Sequence, residues 1–289
     1  MPVDHELLKA QCGRTLARTE LQGLGTRIEG KVRDSYVRGD RRTLIATDRI
    51  SAFDVVLGTI PFKGQVLNQL AAFWFERTRE VAPNHVVAVP DPNVTIGREC
   101  RGLPLEFVVR GYLTGVTSTS IWTAYARGDR SYCGHHLPEG LRKHERLPRP
   151  LLTPTTKAEH GAHDEVTSRE RAIESGLVSA ARYDEAEAMV LRLFADGQQW
   201  AEKQGLILVD TKYELGLDDA GTLTVIDEIH TPDSSRYWYL DSYERAMSEG
   251  ADPKAMDKEF VRRLLAGRGY NGEGAPPALP DDLRCEAAA

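Results

Sequence analysis

The sequence predicts a mixed fold of α-helices and antiparallel β-strands, organised around a β-hairpin in its last third. The first strand of the hairpin is residues 206–216 (LILVDTKYELG), where four apolar residues precede alternating charged and uncharged positions. The second strand begins with the apolar run 223–226, after the turn-forming residues 217–221. Apolar residues recur at helical spacing in segments 65–81 and 180–204. Together these patterns indicate a core built from both element types.

Shorter elements are predicted between the first helix and the hairpin. Segments 85–89 and 105–109 are apolar runs of strand length. Residues 90–103 are rich in proline, glycine and charge, so we predict a loop there. The polar segment 153–165 shows no periodicity, and a loop of this length within a domain is either functional or mobile.

The charged residues of the hairpin share one face. Because strand side chains alternate with a period of two, Asp210, Lys212 and Glu214 point to the same side. Asp227 and Glu228 directly follow the second apolar run. Two interpretations stay open. The charges face water in a half-solvated hairpin, or the carboxylates hold a cation, since Mg²⁺ takes a few hard oxygen ligands together with substrate phosphates.

Composition limits the class of protein. The chain has 289 residues, of which 41% are hydrophobic and 28% charged, values typical of a soluble globular protein with one large or two modest domains. Its net charge of −6 gives no electrostatic footprint for nucleic acid. No apolar run has the length of a membrane span, no signal peptide is recognisable, and the four cysteines are scattered. We expect a cytoplasmic protein that binds neither nucleic acid nor membrane.

A glycine-rich segment near the start approximates a phosphate-binding loop. Residues 25–32 (GTRIEGKV) resemble the P-loop pattern, but Val32 has no hydroxyl for Mg²⁺, and an alternating rather than helical segment follows. A strand–glycine–strand arrangement also covers phosphates in kinases, and Lys31 and Arg33 would supply charge. The alternative is an ordinary hairpin turn with a solvated lysine.

Hydroxyl residues follow the strand that ends at Arg110. The segment 110–122 (RGYLTGVTSTSIW) combines an arginine, two glycines and a run of serines and threonines, which suits a phosphate or another oxyanion. The same run is also typical of the N-cap region of a helix beginning near Ile121. The histidine pairs at 135–136 and 160/163 have no cysteine partners at ligand spacing, so we do not expect zinc.

Six segments of mixed charged, glycine and hydroxyl residues follow one another along the chain. They are GKVRDSY (30–36), ATDRISAFD (46–54), VVRGYLTG (108–115), TPTTKAE (153–159), VDTKYELG (209–216) and DEIHTPDSSR (227–236). No single segment is specific, but their succession is difficult to produce by chance. In this order they closely resemble the SAICAR synthetase family, the phosphoribosylaminoimidazole-succinocarboxamide synthases of purine biosynthesis.

The resemblance implies an α+β fold and a reaction. A kinase-like antiparallel N-terminal lobe, residues 1–109, would cover ATP and pack on a larger α+β domain, residues 110–289, with ATP in the cleft between them. The larger domain would hold the substrate and metal sites, and its tail from about residue 267 would be partly disordered. The reaction is that of a carbon–nitrogen ligase: the carboxylated aminoimidazole ribotide CAIR condenses with L-aspartate while ATP, with Mg²⁺, is split to ADP and phosphate.

The resemblance also assigns residues to the nucleotide and the metal. Lys31, Val32 and Arg33 would border the ATP phosphates, with Lys31 in direct contact. Glu214 and Asp227 would hold Mg²⁺. The expected cofactors are therefore ATP and Mg²⁺.

The remaining assignments concern the small-molecule substrates CAIR and L-aspartate. Asp210 and Lys212 would be catalytic, facing the CAIR base and carboxylate, with Lys212 neutralising the transferred phosphoryl group. Arg110 and Arg236 would bind anionic groups of CAIR. The other implied substrate-binding residues, of which the last four would also contact L-aspartate, are Ser120, Asp233, Ser234, Asp48, Arg49, Lys157 and Asp164.

The chain departs from its relatives at two places. Many relatives have a serine directly after the glycine that ends RGYxTG, whereas Val116 follows Gly115 here, so either Ser120 or Ser118 would bind phosphate. Relatives also commonly end in a tyrosine-containing helix, whereas this chain ends in CEAAA. The packing of the C-terminal segment and the oligomeric state therefore stay open.

Two other functions are compatible with the same nucleotide lobe. A small-molecule kinase is one, although the chain lacks the HRD and DFG motifs of protein kinases. A non-catalytic nucleotide-sensing protein is the other, although such a protein usually loses charged site residues that are all present here.

Overall fold

A computed structural model of the protein shows a mixed α/β fold with antiparallel sheets. Contacts between residues divide the chain into two compact units. Unit 1 consists of residues 1–76, 85–99 and 257–289, and unit 2 of residues 77–84 and 100–256. The residues that the structure describes are 4–52, 55–117, 120–157, 165–256, 261, 265, 267, 269–270 and 274–289. A domain boundary between residues 109 and 110 stays a prediction.

The elements are numbered in chain order. The strands are β1 (Thr26–Glu29), β2 (Arg33–Arg38), β3 (Arg41–Ala46), β4 (Arg49–Ala52), β5 (Val55–Thr59), β6 (Val86–Asp91), β7 (Val94–Arg98), β8 (Arg101–Tyr112), β9 (Ser131–Tyr132), β10 (His135–His136), β11 (Arg146–Leu152), β12 (Thr155–Thr156), β13 (Leu206–Leu217), β14 (Leu223–Ile226) and β15 (Ser235–Tyr239). The helices are α1 (His5–Gln11), α2 (Lys63–Arg77), α3 (Ile121–Ala126), α4 (Arg169–Glu174), α5 (Ala180–Lys203), α6 (Leu240–Glu249) and α7 (Asp281–Ala288). None of the helices in the described part of the chain has the length and apolar character that a bilayer crossing requires.

Unit 1 contains a five-stranded sheet in the order β1-β2-β3-β7-β6, and a separate ribbon of β4 and β5. Helix α2 contacts the sheet where Thr95 donates its hydroxyl proton to Asn68 at 2.8 Å. Strand β7 lies within segment 90–103, for which the sequence predicts a loop, and that prediction is wrong. The segment is extended because β7 hydrogen-bonds to β3 on one side and β6 on the other, with a turn at Pro92 and Asn93.

A cluster of apolar side chains in unit 1 involves the β4–β5 ribbon and helix α7. Its buried members are Ile50, Ala52, Leu57, Ile60, Val261, Leu265 and Tyr270, with Ala287 and Ala288 of α7 packed against them. Helix α7 forms in the segment for which the sequence predicts partial disorder. Arg284 fixes it, since its Nε donates to the carbonyl of Thr59 at 2.7 Å.

Unit 2 is built on two long strands, β8 and β13, at the centre of one sheet. The sheet order is β11-β8-β13-β14, with β12 pairing with β8 and β15 pairing with β13. The predicted hairpin is confirmed, because Glu214 of β13 lies opposite Ile226 of β14 and Leu217 lies opposite Leu223. All of these pairs are antiparallel.

Helix α5 covers one face of this sheet and thereby leaves the charged side chains on the other. Its side chains Val190, Leu193 and Phe194 are fully buried, and burial of each such side chain stabilises the fold by about 1.5–3 kcal/mol. Ser179 caps the helix by accepting from the backbone of Arg182. Because side chains alternate along a strand, the β13 residues that alternate with the buried Thr211 and Tyr213 point away from α5; they are Asp210, Lys212 and Glu214.

Candidate active site

Three neighbouring strands bring two arginines to one aspartate. In the backbone register, Asp210 of β13 lies opposite Arg110 of β8 on one side and Arg236 of β15 on the other. Arg110 Nη1 donates to Asp210 Oδ2 at 3.2 Å, and Arg236 Nε donates to Oδ1 at 3.1 Å. One carboxylate between two guanidinium groups leaves a net positive charge, and guanidinium groups bind phosphates and carboxylates through paired hydrogen bonds. The arrangement is suited to an anionic ligand.

The loop after β8 approaches this arginine pair closely. Gly115 has a φ of +113°, and a Cβ there would lie 2.5 Å from Ser120 Cβ and 3.5 Å from Arg236 Nη1. Only glycine fits such a position. Ser120 caps helix α3, and its Oγ accepts from the backbone of Thr123 at 3.2 Å. The structure therefore brings Ser120 next to the residue that borders Arg236, whereas Ser118 lies outside the described residues.

Farther along the same face, two lysines and two glutamates form a charge network. Lys212 Nζ lies 2.6 Å from Glu106 Oε1 and 2.9 Å from Glu214 Oε1. Lys157 Nζ lies 2.5 Å from the other Glu214 oxygen. These contacts unite residues from β8, β13 and the segment after β12.

The network fixes the charge of its members. Burial favours neutral Lys212, but the carboxylates of Glu214, Glu106 and Asp227 outweigh it and raise the lysine pKa well above its ordinary value. Burial likewise acts to raise the pKa of Glu214, but Lys212 and Lys157 outweigh that and lower it to about 2. Lys212 is therefore an ammonium and Glu214 a carboxylate at neutral pH.

Glu106 is a site residue that the sequence analysis missed. It lies opposite Glu214 in the β8–β13 pair, and its second carboxylate oxygen accepts from the hydroxyl of Thr155 at 3.2 Å. The sequence does contain a signal for this residue. Glu106 interrupts the apolar run before Arg110, and the period of two along a strand places Glu106 and Arg110 on the same face.

Of the two expected metal ligands, Glu214 lies in β13 and Asp227 directly after the neighbouring strand β14. Asp227 directly follows Ile226, the residue opposite Glu214, and it adopts a left-handed φ of 66°. Across the ranges that the structure describes, no group of three or more His, Cys, Asp or Glu side chains is placed to hold a metal ion. Mg²⁺ at nucleotide sites commonly uses one or two carboxylates and completes its shell with phosphate oxygens and water. Glu214 and Asp227 fit that donor chemistry, although both Glu214 oxygens are bonded to lysines.

The loop between β14 and β15 is fixed by hydrogen bonds within itself and to β13. Thr231 donates its hydroxyl proton to Glu228 and accepts from the backbone of Asp233 at 3.3 Å. The carbonyl of Ser234 accepts from the backbone of Lys212 at 2.9 Å. Asp233 and Ser234 are thus placed beside β13, directly before β15.

A buried histidine, His230, anchors the same loop. The sequence analysis did not predict this role either. His230 has a left-handed φ of 53°, and its Nε2 is hydrogen-bonded to the hydroxyl of Tyr213 at 2.6 Å. Tyr237 donates to the carbonyl of His230 at 2.7 Å. Burial lowers the pKa of His230 to about 3, so the ring is neutral at physiological pH. It holds the loop that begins at Asp227 and leads into β15, the strand that carries Arg236.

In unit 1, the residues expected at ATP are Lys31, Val32 and Arg33. They lie at a turn before β2 that hydrogen bonds to neighbouring residues hold in place. Lys31 is exposed and Val32 is half-buried, while the carbonyl of Val32 accepts from the backbone and hydroxyl of Thr47 at 3.0 and 2.8 Å. The backbone of Gly30 donates to the carbonyl of Arg33 at 2.8 Å. This closes the turn before β2.

Asp48 and Arg49 are engaged within unit 1 rather than exposed. The Arg49 guanidinium donates to the carbonyls of Gly30 and Lys31, at 2.9 and 3.2 Å, and to Asp34 Oδ1 at 2.9 Å. Asp48 accepts from the backbone of Leu16 at 2.7 Å and of Gly64 at 2.9 Å. Arg49 therefore supports the turn that carries Lys31, and contact of either residue with substrate stays a prediction. Asp164 lies outside the described residues.

Comparison with known proteins decides the family. A family model described as SAICAR synthetase matches residues 26–277. The chain belongs to the SAICAR synthetase family. The six segments that carry the resemblance all lie within the matched range. The predicted family membership is confirmed.

Curated relatives in the SAICAR synthetase family are similar over most of their length. A putative phosphoribosylaminoimidazole-succinocarboxamide synthase 2 of Mesorhizobium japonicum is 50% identical over 271 residues, which cover 93% of this chain and 87% of the relative. The phosphoribosylaminoimidazole-succinocarboxamide synthase of Legionella pneumophila strain Lens is 50% identical over 261 residues, 90% of this chain and 83% of the relative.

A solved member of the SAICAR synthetase family has the same fold. The SAICAR synthase of Saccharomyces cerevisiae, complexed with SAICAR, superposes with a TM-score of 0.81 at 31% identity and covers 94% of each chain. A SAICAR synthetase in complex with ADP superposes with a TM-score of 0.67 at 23% identity, covering 82% of this chain and 90% of that one. The predicted α+β fold class is confirmed.

Proposed function

We propose that this protein condenses CAIR with L-aspartate, using ATP, to give SAICAR, ADP and phosphate in de novo purine biosynthesis. The observation that carries the proposal is the row of charged groups on one face of the unit 2 sheet, from the Arg110–Asp210–Arg236 group to the Lys212–Glu214 network. The family match supports it, as do the names of the relatives and the SAICAR bound to the yeast protein.

The chemistry explains why such a row is needed. A carboxylate resists attack by an amine, so the CAIR carboxylate first receives the terminal phosphoryl group of ATP, with ADP as the leaving group. The amino nitrogen of L-aspartate then attacks the acyl carbon, phosphate leaves, and the amide forms after loss of a proton. Both steps require anions to be held close together, which depends on positioning and on charge neutralisation more than on an enzyme nucleophile.

The arginine pair is the site we assign to an anionic group of CAIR. Asp210 holds Arg110 and Arg236 by one carboxylate oxygen each, which keeps both guanidinium groups aligned and leaves a net positive charge. Ser120, next to Gly115, completes this site with a hydroxyl group. Asp233 and Ser234 shape its edge from the loop before β15.

Lys212 is the residue we assign to the transferred phosphoryl group. Strand residues rise by about 3.3 Å, so Lys212 lies roughly 6–7 Å along β13 from Asp210, a spacing that matches the span of a small ring. Its ammonium is held between Glu106 and Glu214 and needs no reorientation when charge develops. Lys157 keeps the second oxygen of Glu214 neutralised.

Mg²⁺ is part of the proposal, with Glu214 and Asp227 as its protein ligands. When bound, the ion would neutralise charge on the ATP phosphates. The exposed Lys31, with Val32 and Arg33, would border those phosphates, and Arg49 would hold the turn that carries Lys31 in its conformation.

L-aspartate would bind near Lys157 and Asp164. We also propose that the reaction takes place in the cytoplasm.

A substrate-omission assay tests the proposal. Phosphate and ADP should form only when CAIR, L-aspartate, ATP and Mg²⁺ are all supplied, in equal amounts with SAICAR. A stable phosphorylated product formed without L-aspartate would instead indicate a small-molecule kinase. Nucleotide binding without any turnover would indicate a sensing protein.

A further inference from the structure

Two cysteines that are 273 positions apart in the sequence meet in unit 1. The sulfur atoms of Cys12, in the short 3₁₀ helix after α1, and Cys285, in α7, are 3.7 Å apart. Both are free thiols. The spacing of the cysteines along the chain does not predict this pair, since they form no C-x-x-C motif.

Neighbouring contacts impose the approach of the two sulfurs. Arg284, the residue before Cys285, donates from Nη2 to the carbonyl of Cys12 itself at 2.8 Å, and from the same nitrogen to Thr59 Oγ1 at 3.0 Å. Its Nε bonds the carbonyl of Thr59 at 2.7 Å. Helix α7 is therefore tied to the backbone of Cys12, which keeps the residue after Arg284, Cys285, beside Cys12.

We propose that Cys12 and Cys285 are a modification site, a dithiol that low-molecular-weight disulfides such as oxidised glutathione convert reversibly into a disulfide. A disulfide bond is about 2.05 Å long, so the two sulfurs, now 3.7 Å apart, must move closer for the bond to form. Cys285 is partly exposed, whereas Cys12 has only 6% of its surface accessible. Because Cys285 is the more accessible of the two thiols, it is the one that reacts first with the oxidant.

The reaction balances as two thiol–disulfide exchanges. The Cys285 thiolate attacks one sulfur of oxidised glutathione, forming a mixed disulfide and releasing one glutathione thiolate, which takes up a proton. Cys12, after losing its proton to solvent, attacks the Cys285 sulfur and releases the second glutathione. Two protein thiols and one oxidised glutathione become one protein disulfide and two reduced glutathiones. Burial raises the pKa of Cys12, so the second exchange is the slower one at neutral pH.

The other two cysteines serve as internal controls. Cys100 and Cys133 lie in unit 2. Burial raises the pKa of Cys133 to about 12, which keeps it a thiol. A selective reaction at Cys12 and Cys285 therefore differs from general oxidation of every thiol in the chain.

Peptide mapping tests the proposal on the full chain. The protein is incubated with oxidised glutathione, its remaining thiols are alkylated, and it is digested with trypsin, which cuts after Lys9, Arg14 and Arg284. We expect peptides 10–14 and 285–289 to appear joined, and to separate on reduction, in the wild type and in Cys100→Ser but not in Cys285→Ser. The oxidised wild type should also unfold at a midpoint roughly 2–8 °C higher than the reduced form.

Other outcomes would overturn the inference. A stable glutathione adduct on Cys285 without the joined peptides, or full alkylation of both cysteines, would show that the sulfurs do not reach each other. If every pairing of the four cysteines gave disulfide-linked peptides in equal amounts, the oxidation would be unspecific and the proposal would fail. Because the readout is a covalent bond in the protein, the result is independent of ligase activity.

Discussion

The ammonium of Lys212 lies 2.6 Å from the carboxylate of Glu106 on the neighbouring strand, and Glu214 accepts from the same nitrogen on its other side. This bracing holds a positive charge at one position on the sheet face. If Lys212 neutralises the transferred phosphoryl group, Lys212→Met should lower kcat by about 10²–10⁴ while the KM for ATP changes little. Steady-state kinetics, with Lys203→Met on the exposed end of α5 as the control, measure this. An unchanged kcat would contradict the role.

Glu106 is expected to act through Lys212. Glu106→Gln keeps a hydrogen-bond acceptor but removes the charge that orients the ammonium, so kcat should fall by about tenfold or more with little change in the KM for CAIR. Glu106→Asp should restore part of the loss. A variant that loses substrate affinity and not turnover would indicate that Glu106 contacts substrate instead.

Asp227 is expected to hold Mg²⁺. Asp227→Asn removes a negative charge from the metal site, so turnover should fall by at least about 10² and the Mg²⁺ concentration needed for half-maximal rate should rise. The matched control is Asp219→Asn, in the exposed turn between β13 and β14. Normal turnover of Asp227→Asn at low Mg²⁺ would remove Asp227 from the metal site.

Arg236 is expected to bind an anionic group of CAIR. Arg236→Met removes one of two charged donors next to Asp210, and a charge-assisted hydrogen bond contributes about 1.5–3 kcal/mol, so the KM for CAIR should rise by about 10- to 100-fold. Arg236→Lys should recover little, because an ammonium does not reproduce the guanidinium fork. The KM for ATP is the internal control. If it rises as much as that for CAIR, the assignment fails.

His230 should make the fold sensitive to acid. Its pKa is about 3 in the folded chain against an ordinary 6.5, so between these values the unfolded chain binds one more proton than the folded chain. Stability therefore falls as pH decreases below 6.5, by an amount on the order of 3–5 kcal/mol near pH 3. The drop in urea midpoint between pH 7 and pH 5 should be smaller in His230→Gln than in the wild type or in the exposed His136→Gln. Equal drops would show that His230 is protonated in the folded chain.

Much of unit 2 was predictable because its sequence patterns are local. The alternation in β13 placed Asp210, Lys212 and Glu214 on one face, and the structure has them there. Helix α5 was expected at 180–204 and spans Ala180–Lys203, since its apolar spacing and its serine cap agree. Local pattern and tertiary packing point to the same structure in these segments.

Other features depend on contacts between distant parts of the chain and were not predictable. Strand β7 has a weak apolar pattern and is extended because it pairs with β3 and β6. The buried role of Arg49 arises from carbonyls that lie 18–32 positions earlier in the sequence. Glu106 and Glu214 are separated by more than a hundred residues, and only the register of β8 and β13 makes them neighbours.

The central claim is that the charged face of β13 lets ATP phosphorylate the CAIR carboxylate before L-aspartate attacks. The most direct test uses CAIR labelled with ¹⁸O in its carboxylate, followed by mass analysis of the phosphate released in one turnover. We predict that one labelled oxygen is transferred from the carboxylate to phosphate. Phosphate free of the label, with SAICAR formed, would contradict the account.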